Sequence, residues 1–330
     1  MEDCTLNYIR AATCAAALLL SGFAHGADPY PNRPIRMLVP FAAGGAIDLM
    51  ARPTARKMHE TLGQPVVVEN RPGAGGSIAA EATAKSANDG YTVFFGSTSP
   101  LAINPAYFEK VGYDTLRDFT PISLAVKQPL IIVAHPSLPV KNLMDVVAMA
   151  KRQPGKLSYG SAGPGTSNHL VGELLNDAAG IEMVHVPYKG GAPALTALLS
   201  GEIELQVSQP NTMMPFIKNG RVRAIATTGA KRLQQLPDVG TLVEAGYKDI
   251  DIIGWFCIVG PANLPTPVVE KLNGSIRQAI GSPEVRDMLI EAGAEPGTST
   301  PAELYALMKS DMGRWARAAK IAKAREAKAR

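Results

Sequence analysis

From residue 33 onward, short runs rich in β-branched and aromatic residues alternate with longer stretches whose apolar side chains recur three and four positions apart. The first pattern suits buried strands and the second amphipathic helices, so the alternation predicts an α/β architecture. "IRMLVPF" runs to Gly44-Gly45 and opens the helical stretch "AIDLMARPTARKMHETL". "PVVVEN" then runs to "RPGAGG" and opens "SIAAEATAKSA", and "YTVFFG" stops at "STSP". Further along the same order returns. "KLSYG" leads through "SAGPGTS" into "NHLVGELLNDAAG", "MVHVPY" through "KGG" into "APALTALLSG", and "IELQV" stops at "SQPN".

The residues are not repeated, but the order of strand, Gly-rich turn and helix is. That repetition predicts two similar α/β lobes. The run 119–136 reads as the crossover to the second lobe and 250–265 as the return strand. Two helices, "PTPVVEKLNGSIRQAI" and "PAELYALMKSDMGRWARAAKIAKA", follow. The first lobe is therefore expected to be discontinuous, 27–125 plus 253–330, with the second at 126–252 and a hinged cleft between them.

In open parallel sheets ligands sit beyond the carboxyl ends of the strands, and the Gly-rich and hydroxyl-rich turns all fall at that end. The turn at Gly44-Gly45 is not followed by the Lys-Ser or Lys-Thr of a phosphate loop, and it lacks the third glycine of a dinucleotide fingerprint. A carboxylate is the alternative. Up to four N–H groups at a helix start have no partner within the helix, and the helix dipole adds positive potential there. Several such starts facing one cleft hold an organic anion with few formal cations, and with no metal, nucleotide or other cofactor.

The first 26 residues are a separate object. Arg10 precedes an apolar run, 11–20, then Ser21-Gly22 and Ala24-His25-Gly26. The run is short for a membrane span and carries the flanks of a secretory signal cut near Gly26/Ala27. Phe23 stands where a lipoprotein signal needs cysteine. A soluble, exported, periplasmic protein is expected. No later segment approaches the about 18 consecutive apolar residues of a span, so membrane work falls to other polypeptides.

Composition, at 46% hydrophobic and 19% charged, is that of a globular chain. The net charge of +4 is concentrated at the end, where "KIAKAREAKAR" carries five basic groups and one acidic. The body has no basic excess for nucleic acid, and a monomer is expected. Cys4 and Cys14 leave with the leader, and Cys257 in "GWFCIVG" reads as a small buried apolar residue. No G-x-S-x-G, S-x-x-K or H-E-x-x-H occurs, and His59, His135, His169 and His185 lack ligand spacing. His135 and His185 read as packing residues, while His169 either lines a pocket or holds its loop. Asp48 and Arg52, four apart, read as a surface pair on the first helix. Trp255 and Phe256 read as core or hinge packing.

"YPNRPIRMLVPFAAGGAIDLMAR", "VVVENRPGAGGSIAA", "YGSAGPGTSNHL", "VPYKGGAPAL" and "LPDVGTLVEAGY…GWFCIVGPANLP" closely resemble the extracytoplasmic substrate-binding proteins of tripartite tricarboxylate transporters, the Bug family. The resemblance runs from about Tyr30 to Trp315. It implies a type II periplasmic binding-protein fold that closes on a small carboxylate, such as a dicarboxylate, tricarboxylate or aromatic acid, and hands it to separate membrane subunits. On matching positions it implicates Phe41, Ala43, Gly44, Gly45, Ser97 and Thr98 in the first lobe. In the second it implicates Ser161, Gly163, Thr166, Ser167 and His169, then Tyr188, Lys189 and Gly190.

Two departures stand out. Ile47 occupies a place where family members often carry Ser or Thr, and "VSQPN", with Ser208 and Gln209, replaces a turn that is often acidic. Both touch places that select a ligand, so no named substrate is carried over. The readings set against transport are a receptor that reports the acid to a membrane sensor, and a secreted enzyme on the same fold. The missing nucleophile–base motifs count against the enzyme.

Overall fold

The computed structural model describes residues 30–329. The chain divides into two units, Met1–Asn32 and Arg33–Arg330. Only residues 30–32 of the first unit are described, so the expected leader and its cleavage site lie outside the described residues. Everything below concerns the second unit.

Two sheets organise it. The first holds strands β1 (Ile35–Val39), β2 (Val66–Asn70), β3 (Thr92–Ser97), β4 (Phe119–Pro129), β10 (Ile253–Pro261) and the short β11 (Glu295–Pro296). The second holds β5 (Ile131–Ala134), β6 (Ser158–Ser161), β7 (Val184–Pro187), β8 (Leu205–Ser208) and β9 (Arg223–Thr227). Their spatial orders are β11-β4-β10-β3-β1-β2 and β7-β6-β8-β5-β9. Set side by side, β2-β1-β3-β10-β4 and β7-β6-β8-β5-β9 are the same arrangement. β1 lies parallel to β2 and β3, as β6 does to β7 and β8, and in each sheet the next strand runs antiparallel. The repeated order along the chain thus becomes a repeated order in space.

The expected crossover, 119–136, is two strands in different sheets with only Leu130 between them. β10 returns to the first sheet and pairs antiparallel with β3 and β4. Parallel neighbours need long connections, and helices supply them. The helices are α1 (Ala46–Leu62), α2 (Ser77–Ala84), α3 (Asn104–Tyr107), α4 (Leu143–Arg152), α5 (Ser167–Ala179), α6 (Gly191–Leu199), α7 (Pro210–Lys218), α8 (Thr266–Gly281), α9 (Pro283–Glu291) and α10 (Pro301–Ala329).

α1 shows how the local rules operate. Ile47, Met50, Ala51, Ala55, Met58 and Leu62 form its buried stripe, and Gly63, in the left-handed region at φ 70°, ends it. One continuous body of buried side chains runs from Leu38 and Phe94 in the first sheet, through Leu130 and Trp255, to Leu205 and Val207 in the second. The two lobes therefore share a core at the crossing strands. Cys257 is fully buried there, and burial alone pushes its thiol well above the usual range. Among the described residues no helix is long and apolar enough to cross a membrane.

Candidate functional site

The loop after β1 is built around Asp48. The Gly44 N–H donates to its Oδ2 at 2.9 Å, Arg52 grips both oxygens, and Asn70 at the end of β2 donates to Oδ1 at 2.9 Å. The second Nδ2 proton of Asn70 ties the Phe41 carbonyl at 3.0 Å. Burial pushes the Asp48 carboxyl up, but the bonds from Arg52, Gly44 and Asn70 outweigh it and hold it below the ordinary aspartate value. The expected Asp48–Arg52 pair forms, yet Asp48 is buried rather than on the surface. Its work is to hold the loop. Gly44 sits at φ +76°, where a side chain is strained, whereas Gly45 is extended.

This loop forms one wall of a narrow cleft. Phe41, Gly45, Ala46 and Ile47 line it from the first lobe, with Ser97, Thr98 and Ser99 at the end of β3. The second lobe contributes Ala162, Ser167, Asn168, Gly191 and Gln209. The floor comes from the crossing strands: Gln128 and Leu130 on one, Gly254, Trp255 and Phe256 on the other. The starts of α1, α5, α6 and α7 thus all contribute to the lining. No lining residue carries a formal charge, so the favourable electrostatics available to an anion there are those of the helix starts.

Direct hydrogen bonds join the walls. Asn211 Nδ2 in α7 donates to the Ala46 carbonyl in α1 at 3.0 Å, and the Ser167 N–H in α5 donates to Ser99 Oγ at 3.1 Å. Gly190 approaches so closely that a Cβ there would stand 3.3 Å from the Ala42 nitrogen. The cleft is closed. Within it Ser97 Oγ and Gln128 Oε1 are buried without a partner among the described residues, which leaves a hydroxyl and an acceptor for a guest or a water.

The residues implicated by sequence divide into two groups. Phe41, Gly45, Ser97, Thr98, Ser167 and Gln209 line the cleft. Ala43 and Gly44 are exposed on the loop itself, and Lys189 is exposed on the turn after β7. Gly163 and Thr166 hold the turn before α5: Thr166 Oγ1 donates to the Gly163 carbonyl at 2.6 Å and accepts from the His169 N–H at 3.3 Å. Tyr188 donates to Glu202 at 3.1 Å, and Ser208 Oγ pairs with Thr212 Oγ1 at 3.1 Å.

His169 does not line the cleft. It is fully buried behind α5, with its ring stacked on His185 at 4.0 Å between centroids and edge-on to Tyr107. The Gly165 N–H points at its Nδ1 from 3.4 Å, so of its two expected roles it holds the loop. Ser161 faces the same interior, its Oγ 2.6 Å from His185 Nε2. Of the residues that the sequence did not single out, Gln128 near the end of β4 and Leu130 between β4 and β5 fall inside one long apolar run and give no local sign of facing a cleft. Trp255 and Phe256 are packed as expected, but they also form its floor.

Two α/β lobes of matching topology, crossed by paired strands and closed over an uncharged cleft lined by helix starts, define a ligand-binding protein of the periplasmic type. Residues 50–324 match the model of the tripartite tricarboxylate transporter family receptor. The chain belongs to that family. It is 37% identical over 291 residues to Protein BugT of Bordetella pertussis, covering 88% of this chain and 89% of that one. Among solved structures, periplasmic binding protein BugD superposes with a TM-score of 0.86 at 36% identity, over 89% of this chain and 99% of the other. Rpa4515 of R. palustris, solved with adipate, gives 0.86 at 35% identity, over 89% and 98% of the two chains. MatC of Rhodopseudomonas palustris, with bound malate, gives 0.84 at 32%, over 88% and 100%. The fold is therefore the type II binding-protein fold expected from the motifs.

Proposed function

We propose that this protein captures a small organic carboxylate in the cleft and delivers it to the membrane subunits of a tripartite tricarboxylate-type transporter. The observation that carries the reading is the closed, uncharged cleft lined by four helix starts, in which Ser97 Oγ and Gln128 Oε1 lack partners. A carboxylate accepts from unpaired N–H groups and hydroxyls without needing a lysine or arginine. Each charge-assisted bond contributes about 1.5–3 kcal/mol, and micromolar affinity needs about 8 kcal/mol. A handful of such bonds suffices after ordering costs. Relatives solved with adipate and with malate support the ligand class.

In this reading the lobes follow the sheets, with the boundary at Leu130 and the return at β10. Direct contact with the acid falls to Gly45, Ser97, Thr98, Ser167 and Gln209. Ala43, Gly44, Ser161, Gly163, Thr166, His169, Tyr188, Lys189, Gly190 and Ser208 shape the loops around it. The protein is exported to the periplasm, acts as a monomer and leaves its ligand chemically unchanged. The test is mass spectrometry of ligand released from gently purified protein, followed by calorimetric titration of each acid found. Recovery of a carboxylate that rebinds at micromolar concentration is expected. A released ligand without a carboxyl group, or one converted on incubation, overturns the reading.

A further inference from the structure

The basic end of the chain is not a solvated tail. It continues α10, and the helix runs from one lobe to the other. Its early turns belong to the first lobe, where Leu304, Met308 and Trp315 join the buried core. Asp311, buried between them, accepts from the indole N–H of Trp255 at 2.6 Å and of Trp315 at 3.2 Å. Trp255 is part of the cleft floor.

About 21 Å further along the helix, at 1.5 Å per residue, Arg325 reaches the second lobe. Its Nε lies 3.0 Å from Glu173 Oε2 in α5, and its Nη2 donates to the Ile181 carbonyl at 3.0 Å. Glu173 is itself buried and accepts from Tyr159 at 2.7 Å. The next residue, Glu326, is shared between lobes. It accepts from Tyr107 of the first lobe at 2.6 Å, and its Oε1 stands 3.2 Å from His169 Nε2 of the second, off the line of a straight hydrogen bond. The lobes cannot separate on this side while α10 stays on the first without breaking the Arg325–Glu173 pair or dividing the Tyr107–Glu326–His169 group.

We infer that the last turns of α10 are a clasp. Arg325 and Glu326 are positioning residues: they fix α5, and through it Ser167 and Asn168, against the first lobe. Losing Arg325 leaves the buried Glu173 carboxylate uncompensated, so this fastening is specific to the closed arrangement. The effect on ligand rests on the carboxylate-binding reading above. The effect on the lobes does not.

The test separates the two. Nitroxides are placed at Ala87→Cys in the first lobe and Lys156→Cys in the second, both exposed, in the full chain with Cys4 and Cys14 replaced by serine; Cys257 is buried. Inter-lobe distances are read by pulsed electron resonance without ligand. Wild type is expected to give one narrow distance, R325A/E326A a longer and broader one, and Arg325→Lys, which keeps the charge opposite Glu173, the wild-type one. Glu326→Gln, a milder change, covers the case in which the double variant does not fold. With adipate and malate as probes, the dissociation rate of R325A/E326A is expected to rise at least tenfold. A wild-type distance in R325A/E326A, or in Glu326→Gln where the double variant does not fold, overturns the clasp, as does a wild-type distribution already as broad as the variant's. If neither acid binds wild type, the ligand reading is in question, while the distances still decide the clasp.

Discussion

Asn211 Nδ2 donates across the cleft to the Ala46 carbonyl at 3.0 Å, joining the first turn of α7 to the first turn of α1. The Asn211 Oδ1 on the same amide is buried without a partner among the described residues. The amide therefore pins two helix starts together on opposite walls and exists as a contact only when the lobes are closed. A ligand shifts an opening equilibrium only by its differential affinity for the two states, and this bond contributes to that difference. Asn211→Ala is expected to weaken acid binding about fivefold, near 1 kcal/mol for one hydrogen bond. Unchanged affinity would show that the bond is incidental to closure.

Ser97→Ala separates two roles by the sign of its effects. Ser97 Oγ is buried with no partner among the described residues, so removing it relieves an unsatisfied group and should leave the melting temperature equal or higher. If the hydroxyl serves the ligand, affinity falls at the same time, by about fivefold or more. Thermal melts and titration calorimetry on one sample read both. A variant that loses stability and keeps affinity would reverse the assignment.

The two opening-loop glycines are expected to fail in different ways. Gly44 lies at φ +76°, so Gly44→Ala should cost about 1–2 kcal/mol of stability from backbone strain alone. Its Cβ would stand 3.9 Å from Ala192 Cβ, an ordinary contact. Gly45 is extended, but a Cβ there would sit 3.2 Å from the Ala42 carbonyl, at the cleft wall. Gly45→Val should therefore act on binding, lowering affinity about tenfold, or 1.4 kcal/mol. Denaturant titrations and calorimetry of both variants check the division of labour.

Acid should weaken the fold through His185. Burial, with the neighbouring His169 adding to it, holds His185 down at about 3 against an ordinary 6.5. The native ring stays neutral over that interval while the unfolded chain takes up a proton, so the unfolded state binds more protons and stability falls as pH falls from 6.5 toward 3. Above 6.5 the group adds no slope. With partial exposure discounted, the loss is on the order of 3 kcal/mol. Urea midpoints at pH 7 and pH 4 should differ less in His185→Gln than in wild type. Equal differences in the two proteins would remove His185 from the account.

Much of the architecture was written in local patterns. The runs "IRMLVPF" and "KLSYG", each closed by glycines before an amphipathic stretch, announce a strand, a turn and a helix because backbone geometry and side-chain period act over a few residues. The same rules put Gly45, Ser97, Thr98, Ser167 and Gln209 at strand ends, where they line the cleft. The motifs quoted from these turns were also enough to indicate the family.

Which side a residue faces in three dimensions was a different matter. Gln128 and Trp255 come from strands paired antiparallel across more than a hundred intervening residues, and only that pairing turns them into a cleft floor. His169 has the sequence neighbourhood of a ligand contact, but the helical turn of α5 carries it to the opposite side, against His185 and Tyr107. Arg325 and Glu326 read as part of a basic tail because composition counts charges without their partners. Glu173 and Tyr107, which give those charges their roles, lie 152 and 219 residues away along the chain. Periodicity and turn chemistry are local, so the sequence by itself determined the elements and the glycine-rich helix starts. Long-range packing decided which of their side chains meet, and therefore where the cleft closes and what holds it shut.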